Sequence, residues 1–156
     1  MKIKHLLASL LLPMAFGALA EPFTVSGDGQ EVTDVKSGLV WRRCAEGMTA
    51  SGGTCTGTAS RFTLGEALTR ASAQTTATAM AWRLPNIKEL SSIADRDRFI
   101  AIDTTTFTGT PAGSFWSSTP DARSADYAWN VNFSNGDVYY SNRSNSHYVR
   151  LVRAGK

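Results

Sequence analysis

Toward the end of the chain, apolar and polar positions alternate in short runs separated by polar turns. In Tyr127–Phe133 a period of two places Tyr127, Trp129, Val131 and Phe133 on one face of a strand. Ala128, Asn130 and Asn132 fall on the other face, and the Trp129 face is expected to join the core. Ser134-Asn135-Gly136-Asp137 carries an Asn-Gly turn signal and predicts a hairpin into a second strand, Val138–Ser141. Ser141–His147 reads as an exposed polar loop. A last strand, Tyr148–Arg153, is expected to bury Val149, Leu151 or Val152.

Upstream, Val32–Asp34 and Leu39–Arg42 flank the Gly-containing connection Val35–Gly38, which predicts another hairpin with Trp41 turned inward. Thr63-Leu64-Gly65-Glu66 is a capping box, and Leu64, Ala67, Leu68 and Ala71 follow at helical spacing. A helix to about Ser72 is expected, with the Ala/Thr run of residues 71–81 as a loop. Pro85 keeps Leu84 out of helical geometry, so a second helix begins at the capping box Asn86–Glu89. Its buried stripe is Ile87, Leu90, Ile93 and Ala94, and Asp95-Arg96-Asp97-Arg98 ends it as a solvated loop. Helices early and most strands late indicate an α+β domain.

The N-terminus changes what counts as the folded part. Lys2 and Lys4 precede the apolar run Leu6–Phe16, and Ala18-Leu19-Ala20 is a small-x-small cleavage site. Residues 1–20 therefore read as a secretory signal, too short in its apolar run for the roughly 20 residues of a membrane span. The remaining residues, 21–156, are expected to form one domain bound for the periplasm, the cell surface or the medium. Removing the signal takes two of the sixteen basic residues and none of the thirteen acidic ones, leaving a net charge of +1. Nucleic acid binding thereby loses its compositional support. Cys44 and Cys55 lie in the exported part, where an oxidising compartment favours a disulfide over a free or redox-active pair. Bridging the Gly/Ser/Thr-rich loop between them contributes on the order of 3 kcal/mol by the chain-entropy estimate.

Five strings in order carry a resemblance: TDVKSGLVWRRC, WRLPNIKEL, FWSST, AWNVNFSNGDVYY and YVRLVR. Together they resemble the Lcl C-terminal domain family, named for the C-terminal domain of a bacterial collagen-like adhesin, over about residues 31–153. The resemblance implies a C-type-lectin-like fold, two helices packed on a small mixed or antiparallel sheet with a long irregular loop region. The same broad fold serves lectins, formylglycine-generating enzymes and the variable receptor-binding proteins of diversity-generating retroelements, so function has to come from the site.

Enzyme chemistry finds little purchase. His147 sits in a Ser/Asn-rich loop, where a solvent-exposed histidine is the plainer reading, and no G-x-S-x-G motif occurs. No Cys follows Cys55, so the cysteine pair of formylglycine-generating relatives is missing. The Asp95/Asp97 and Asp121/Asp126 pairs read as solvated turns, and Trp129-Asn130-Val131 lacks the carboxylate of a calcium-lectin motif. No catalytic residue, metal ligand or cofactor is expected.

Binding fits better, because Tyr gives rigid contact area and Ser and Asn give adaptable hydrogen bonds. In Asp121–Tyr127 the candidates are Asp121, Arg123, Asp126 and Tyr127. In Ser134–His147 they are Ser134, Asp137, Tyr139, Tyr140, Asn142, Arg143, Asn145 and His147. From Ser134 to Tyr148 every residue except Val138 is Ser, Asn, Gly, Asp, Tyr, Arg or His. All of these are reached from an Asn codon by replacing its adenines, which fits the adenine-directed retroelement diversification that the resemblance to the variable proteins implies. Lys, Glu, Gln, Met and Trp are unreachable and absent from Asn130 to Tyr148, as in only on the order of a few per cent of windows this long.

The expected function is an exported domain that recognises a protein or glycan, with sulfated glycans one candidate despite the near-neutral charge. A structural subunit of a pilus or fibre tip is the alternative, and a formylglycine-generating type of enzyme comes third. Homo-oligomerisation is left open.

Overall fold

Residues 22–155, the part of the chain that the computed structural model describes, form three sheets and two helices. The expected signal, residues 1–20, lies outside the described residues. In chain order the first elements are β1 (Phe23–Val25), β2 (Glu31–Asp34), β3 (Leu39–Arg42), β4 (Thr49–Ser51), β5 (Thr54–Thr56) and β6 (Arg61–Phe62). Helices α1 (Leu64–Thr78) and α2 (Ile87–Ser92) follow. The remainder is β7 (Ser114–Pro120), β8 (Tyr127–Asn132), β9 (Asp137–Asn142), β10 (His147–Tyr148) and β11 (Val152–Ala154). The class is α+β with mixed strand pairing: β10 runs parallel to β7, and the other ladders are antiparallel.

The first sheet runs β1-β2-β3-β11. Its β2–β3 hairpin is the expected one, closed by Asp34, whose Oδ1 accepts from the Lys36 amide at 2.9 Å and whose Oδ2 accepts from the Ser37 hydroxyl at 2.6 Å. Gly38 takes a φ of +70°, a conformation that costs a residue with a Cβ. Trp41 is fully buried, as expected. Cys44 is disulfide-bonded to Cys55, which lies on β5, and β4 and β5 form a ribbon of their own.

The second sheet runs β6-β10-β7-β8-β9 and carries a helix on each face. Phe115 and Val131 are register partners and share a core cluster with Leu90 and Ile93 from α2 and its C-cap, together with Phe133. On the other face Trp116 and Ala128 join Leu64, Ala67 and Ala71 of α1. Both predicted capping boxes are present, Thr63 with Glu66 and Asn86 with Glu89.

Two expectations are corrected. The Ala/Thr run is not a loop, because α1 continues to Thr78. Ala favours the helix, and the Thr side chains, which favour it less, are tied down. Thr76 and Thr78 hydroxyls donate to the carbonyls of Ser72 and Gln74, and the Thr75 hydroxyl donates to Trp82 O at 2.8 Å. Nor is Tyr148–Arg153 one strand. His147–Tyr148 belongs to the second sheet and Val152–Ala154 to the first. Val149–Leu151 crosses between them with all three residues buried.

The crossing is fastened by Arg150, fully buried between the rings of Phe107 (4.8 Å) and Phe115 (6.0 Å). Its guanidinium donates to the carbonyls of Arg42 and Arg43 and to the Thr110 hydroxyl. Burial pushes its pKa down to about 9.

Candidate functional site

Strand and helix lengths decide which residues the core can cover. The six residues of β8 span about 20 Å. The six residues of α2 span only about 9 Å. Val131 and Phe133 lie under the α2 cluster, whereas Trp129 does not belong to it and stays half-buried. This corrects the expectation that the whole Trp129 face is core.

What Trp129 meets is an aromatic platform. Its register partner on β9 is Tyr140. The two rings stand edge to face, 5.7 Å between centroids at 75°. Tyr127 meets the same Tyr140 ring at 5.8 Å and 68°. The Arg123 guanidinium lies 5.0 Å over Tyr140 and 5.9 Å over Trp129, within cation–π range of both. Asp121, buried at 6% exposure, fixes that arginine. Its Oδ1 accepts from Arg123 Nε at 3.0 Å and its Oδ2 from Nη2 at 2.8 Å. The contact holds the Asp121 carboxyl below the usual carboxylate range and pushes the Arg123 guanidinium up.

The Asp121–Asp126 loop and the Asn142–Ser146 loop adjoin at this end of the hairpin. The Arg143 amide donates to Asp126 O at 2.8 Å and its Nη1 to Ala125 O at 3.1 Å. Asn142 Oδ1 accepts from the Ser144 amide and hydroxyl, and the Asn145 amide donates to Asn142 O. The Leu64 amide donates to Arg143 O, which ties the loop to the start of α1. Asp121, Arg123, Asp126, Tyr127, Tyr140, Asn142, Arg143 and Asn145 are therefore brought to one end of the sheet.

The other four candidates are not. Ser134 and Asp137 lie at the opposite end of the β8–β9 hairpin, where Asp137 faces Arg96 at 3.3 Å and Arg96 Nε donates to Gly136 O at 3.2 Å. Tyr139 points to the face opposite Tyr140, and its hydroxyl accepts from Asn135 Nδ2 at 3.1 Å. His147 is not a solvent-exposed loop histidine. It sits on β10, two strands from β8, with its ring 4.5 Å from Trp116. Burial, assisted by Arg61, depresses its pKa, and its Nε2 is buried without a hydrogen-bond partner.

The family model of the Lcl C-terminal domain matches residues 30–153. The chain belongs to the Lcl C-terminal domain family. No curated protein matches it. In this Lcl C-terminal domain the match runs from just before β2 into β11, so the second sheet, Arg150, the disulfide and the aromatic platform fall within it, while β1 of the first sheet precedes it. Among the described residues no helix is long and apolar enough to cross a membrane. The platform offers aromatic faces and edges, one oriented guanidinium and neighbouring amide and hydroxyl groups. Those groups suit noncovalent recognition of a sugar ring or a polar side chain.

Proposed function

We propose that this Lcl C-terminal domain is an exported ligand-binding module with a C-type-lectin-like fold. It engages a protein or glycan with the Arg123–Trp129–Tyr140 platform and the loops at residues 121–126 and 142–146. The observation that carries this reading is the half-buried Trp129, left uncovered by α2 and packed against an exposed Tyr140 and an Asp121-locked Arg123. Trp, Tyr and Arg are the residue types that dominate binding hot spots. The arginine is preorganised, which lowers the ordering cost of association. Chemistry on the ligand and a bound cofactor form no part of this reading. The C-type-lectin-like fold is supported by the helix on each face of the second sheet and by the pairing of β11 with β3, which returns the last strand to the first sheet.

Retroelement diversification fits the same surface. Arg123, Tyr140, Asn142, Arg143 and Asn145 are residue types reachable from Asn codons, set around a Trp129 that is not. A downstream near-repeat differing only at adenines, beside a reverse transcriptase gene, is the expected finding; its absence removes diversification and leaves binding untouched.

A structural role in a surface assembly is the second reading. It is favoured by β9, an edge strand whose Val138, Tyr139 and Tyr140 are exposed at 37%, 45% and 52%. Arrays of glycans and surface proteins separate the two when probed with the wild type and with Arg123→Ala and Tyr140→Ala. A specific signal lost in both variants supports binding. No signal from any of them, with concentration-dependent self-association by light scattering, supports the structural role.

A further inference from the structure

A second concave surface lies between α1 and the disulfide-closed loop. It is a cleft of about 310 Å3, lined by Gln30, Arg42, Glu46, Met48, Arg70 and Gln74 among others, and none of these belongs to the Trp129 platform. That volume is at the small end of ligand sites, the scale of a monosaccharide or an amino acid.

Its polar groups are held in place. The Arg42 guanidinium lies 4.4 Å over the Trp82 ring, and its Nη2 donates to Gln74 Oε1 at 3.2 Å. Among the described residues Arg42 makes no ion pair. Its field reaches Asp28, but that carboxylate is engaged by the Ser26 hydroxyl at 2.6 Å and the Gln30 amide at 3.1 Å. A guanidinium has five N–H donors, so a flat, oriented fork is left for an acceptor. Across the cleft Glu46 is only 7% exposed, and its Oε2 accepts from Arg70 Nε at 2.6 Å. Its backbone is pinned on both sides, the amide donating to Val149 O and the carbonyl accepting from the Ser60 amide.

Two guanidiniums against one carboxylate leave the lining with one surplus positive charge. We propose that this cleft binds a small ligand carrying one carboxylate together with hydroxyl or amine groups. Arg42 receives the carboxylate in its fork. Glu46 and the amides of Gln30 and Gln74 receive the remaining polar groups. A sugar acid and an amino acid share this chemistry.

The test is an NMR titration of the disulfide-intact secreted domain with glucuronate, glutamate, acetate, glucose and sodium sulfate. Glucuronate or glutamate is expected to shift the amides of residues 42–49 and Gln74, and whichever binds more tightly identifies the source. Glucose is expected to shift none of them. Arg42→Met should weaken the preferred ligand by at least about tenfold, the scale of one lost charge-assisted contact. Glu46→Gln should weaken that ligand but leave acetate unchanged. If Arg42→Met unfolds the domain, Gln74→Ala leaves Arg42 charged but untethered and should also weaken binding. The proposal is overturned by no shift with either carboxylate at tens of millimolar, or by full binding to the Arg42 or Gln74 variant. Equal shifts with sulfate mean an adventitious ion only and overturn it as well.

Discussion

Trp129 and Tyr140 face each other across the β8–β9 ladder as register partners, their rings edge to face at 5.7 Å. One side of that pair is covered by the sheet and the other is not, so Trp129 is expected to matter less for folding than its sequence pattern suggests. Trp129→Ala should cost about 1–2 kcal/mol in urea unfolding, whereas Trp116→Ala, fully buried under α1, should cost about 3–5 kcal/mol. Equal losses would return Trp129 to the core.

Arg150 joins the two large sheets without a carboxylate partner among the described residues. Replacing a buried charge by an apolar group is sometimes stabilising, because its desolvation cost disappears. Here the carbonyls of Arg42 and Arg43 lose a donor in the interior, and that loss should decide the sign. Arg150→Met is expected to lower stability by about 2 kcal/mol or more, read as a shift in denaturant midpoint at constant slope. An unchanged or raised midpoint would show that desolvation wins.

The disulfide closes a separation of 11 residues around the β4–β5 ribbon. Reduction, or a Cys44→Ser/Cys55→Ser double variant, should remove about 3 kcal/mol. The amide signals of residues 44–57 should change most, while those of β7–β9 stay in place.

Glu89 caps α2 by accepting from the Asn86 amide and pairs with both terminal nitrogens of Arg83. Arg83 first, then the Asn86 amide, hold its carboxyl below the ordinary 4.5. A depressed folded pKa gives stability that is complete above 4.5 and is lost as pH falls through the lower folded value. Glu89→Gln should therefore be less stable than wild type by about 1 kcal/mol at pH 7, and the gap should narrow progressively below pH 4.5. A gap independent of pH would place the effect in packing.

Local features of the fold were legible in the sequence. Asp34 and Gly38 close the first hairpin, Asn135-Gly136 the second, and Thr63/Glu66 and Asn86/Glu89 start the helices. Each is written within a few residues. What escaped depends on distant partners. The end of α1 is set by Trp82 and Gln74, and the break in the last strand by Arg150 reaching Arg42 and Arg43. The β4–β5 turn was signalled by Gly52-Gly53, whose φ values of +58° and +79° suit a tight hairpin, but the surrounding Ser and Thr hid the alternation. For the site, residue type found Arg123 and Tyr140 and missed Trp129. A period of two says which face a residue is on, not how far along the strand the covering helix reaches. Comparing the length of α2 with that of β8 would have exposed it.

The central claim is that recognition resides at the Trp129 end of the β8–β9 hairpin and not at its Asn-Gly turn. The most direct measurement compares Trp129→Ala/Tyr140→Ala with Ser134→Ala/Asp137→Ala on one glycan and surface-protein array, both variants first shown folded by circular dichroism. Loss of the specific signal in the first variant, with the second binding as wild type, is the predicted result. Loss only in the second would contradict it and move the site to the turn beside Arg96.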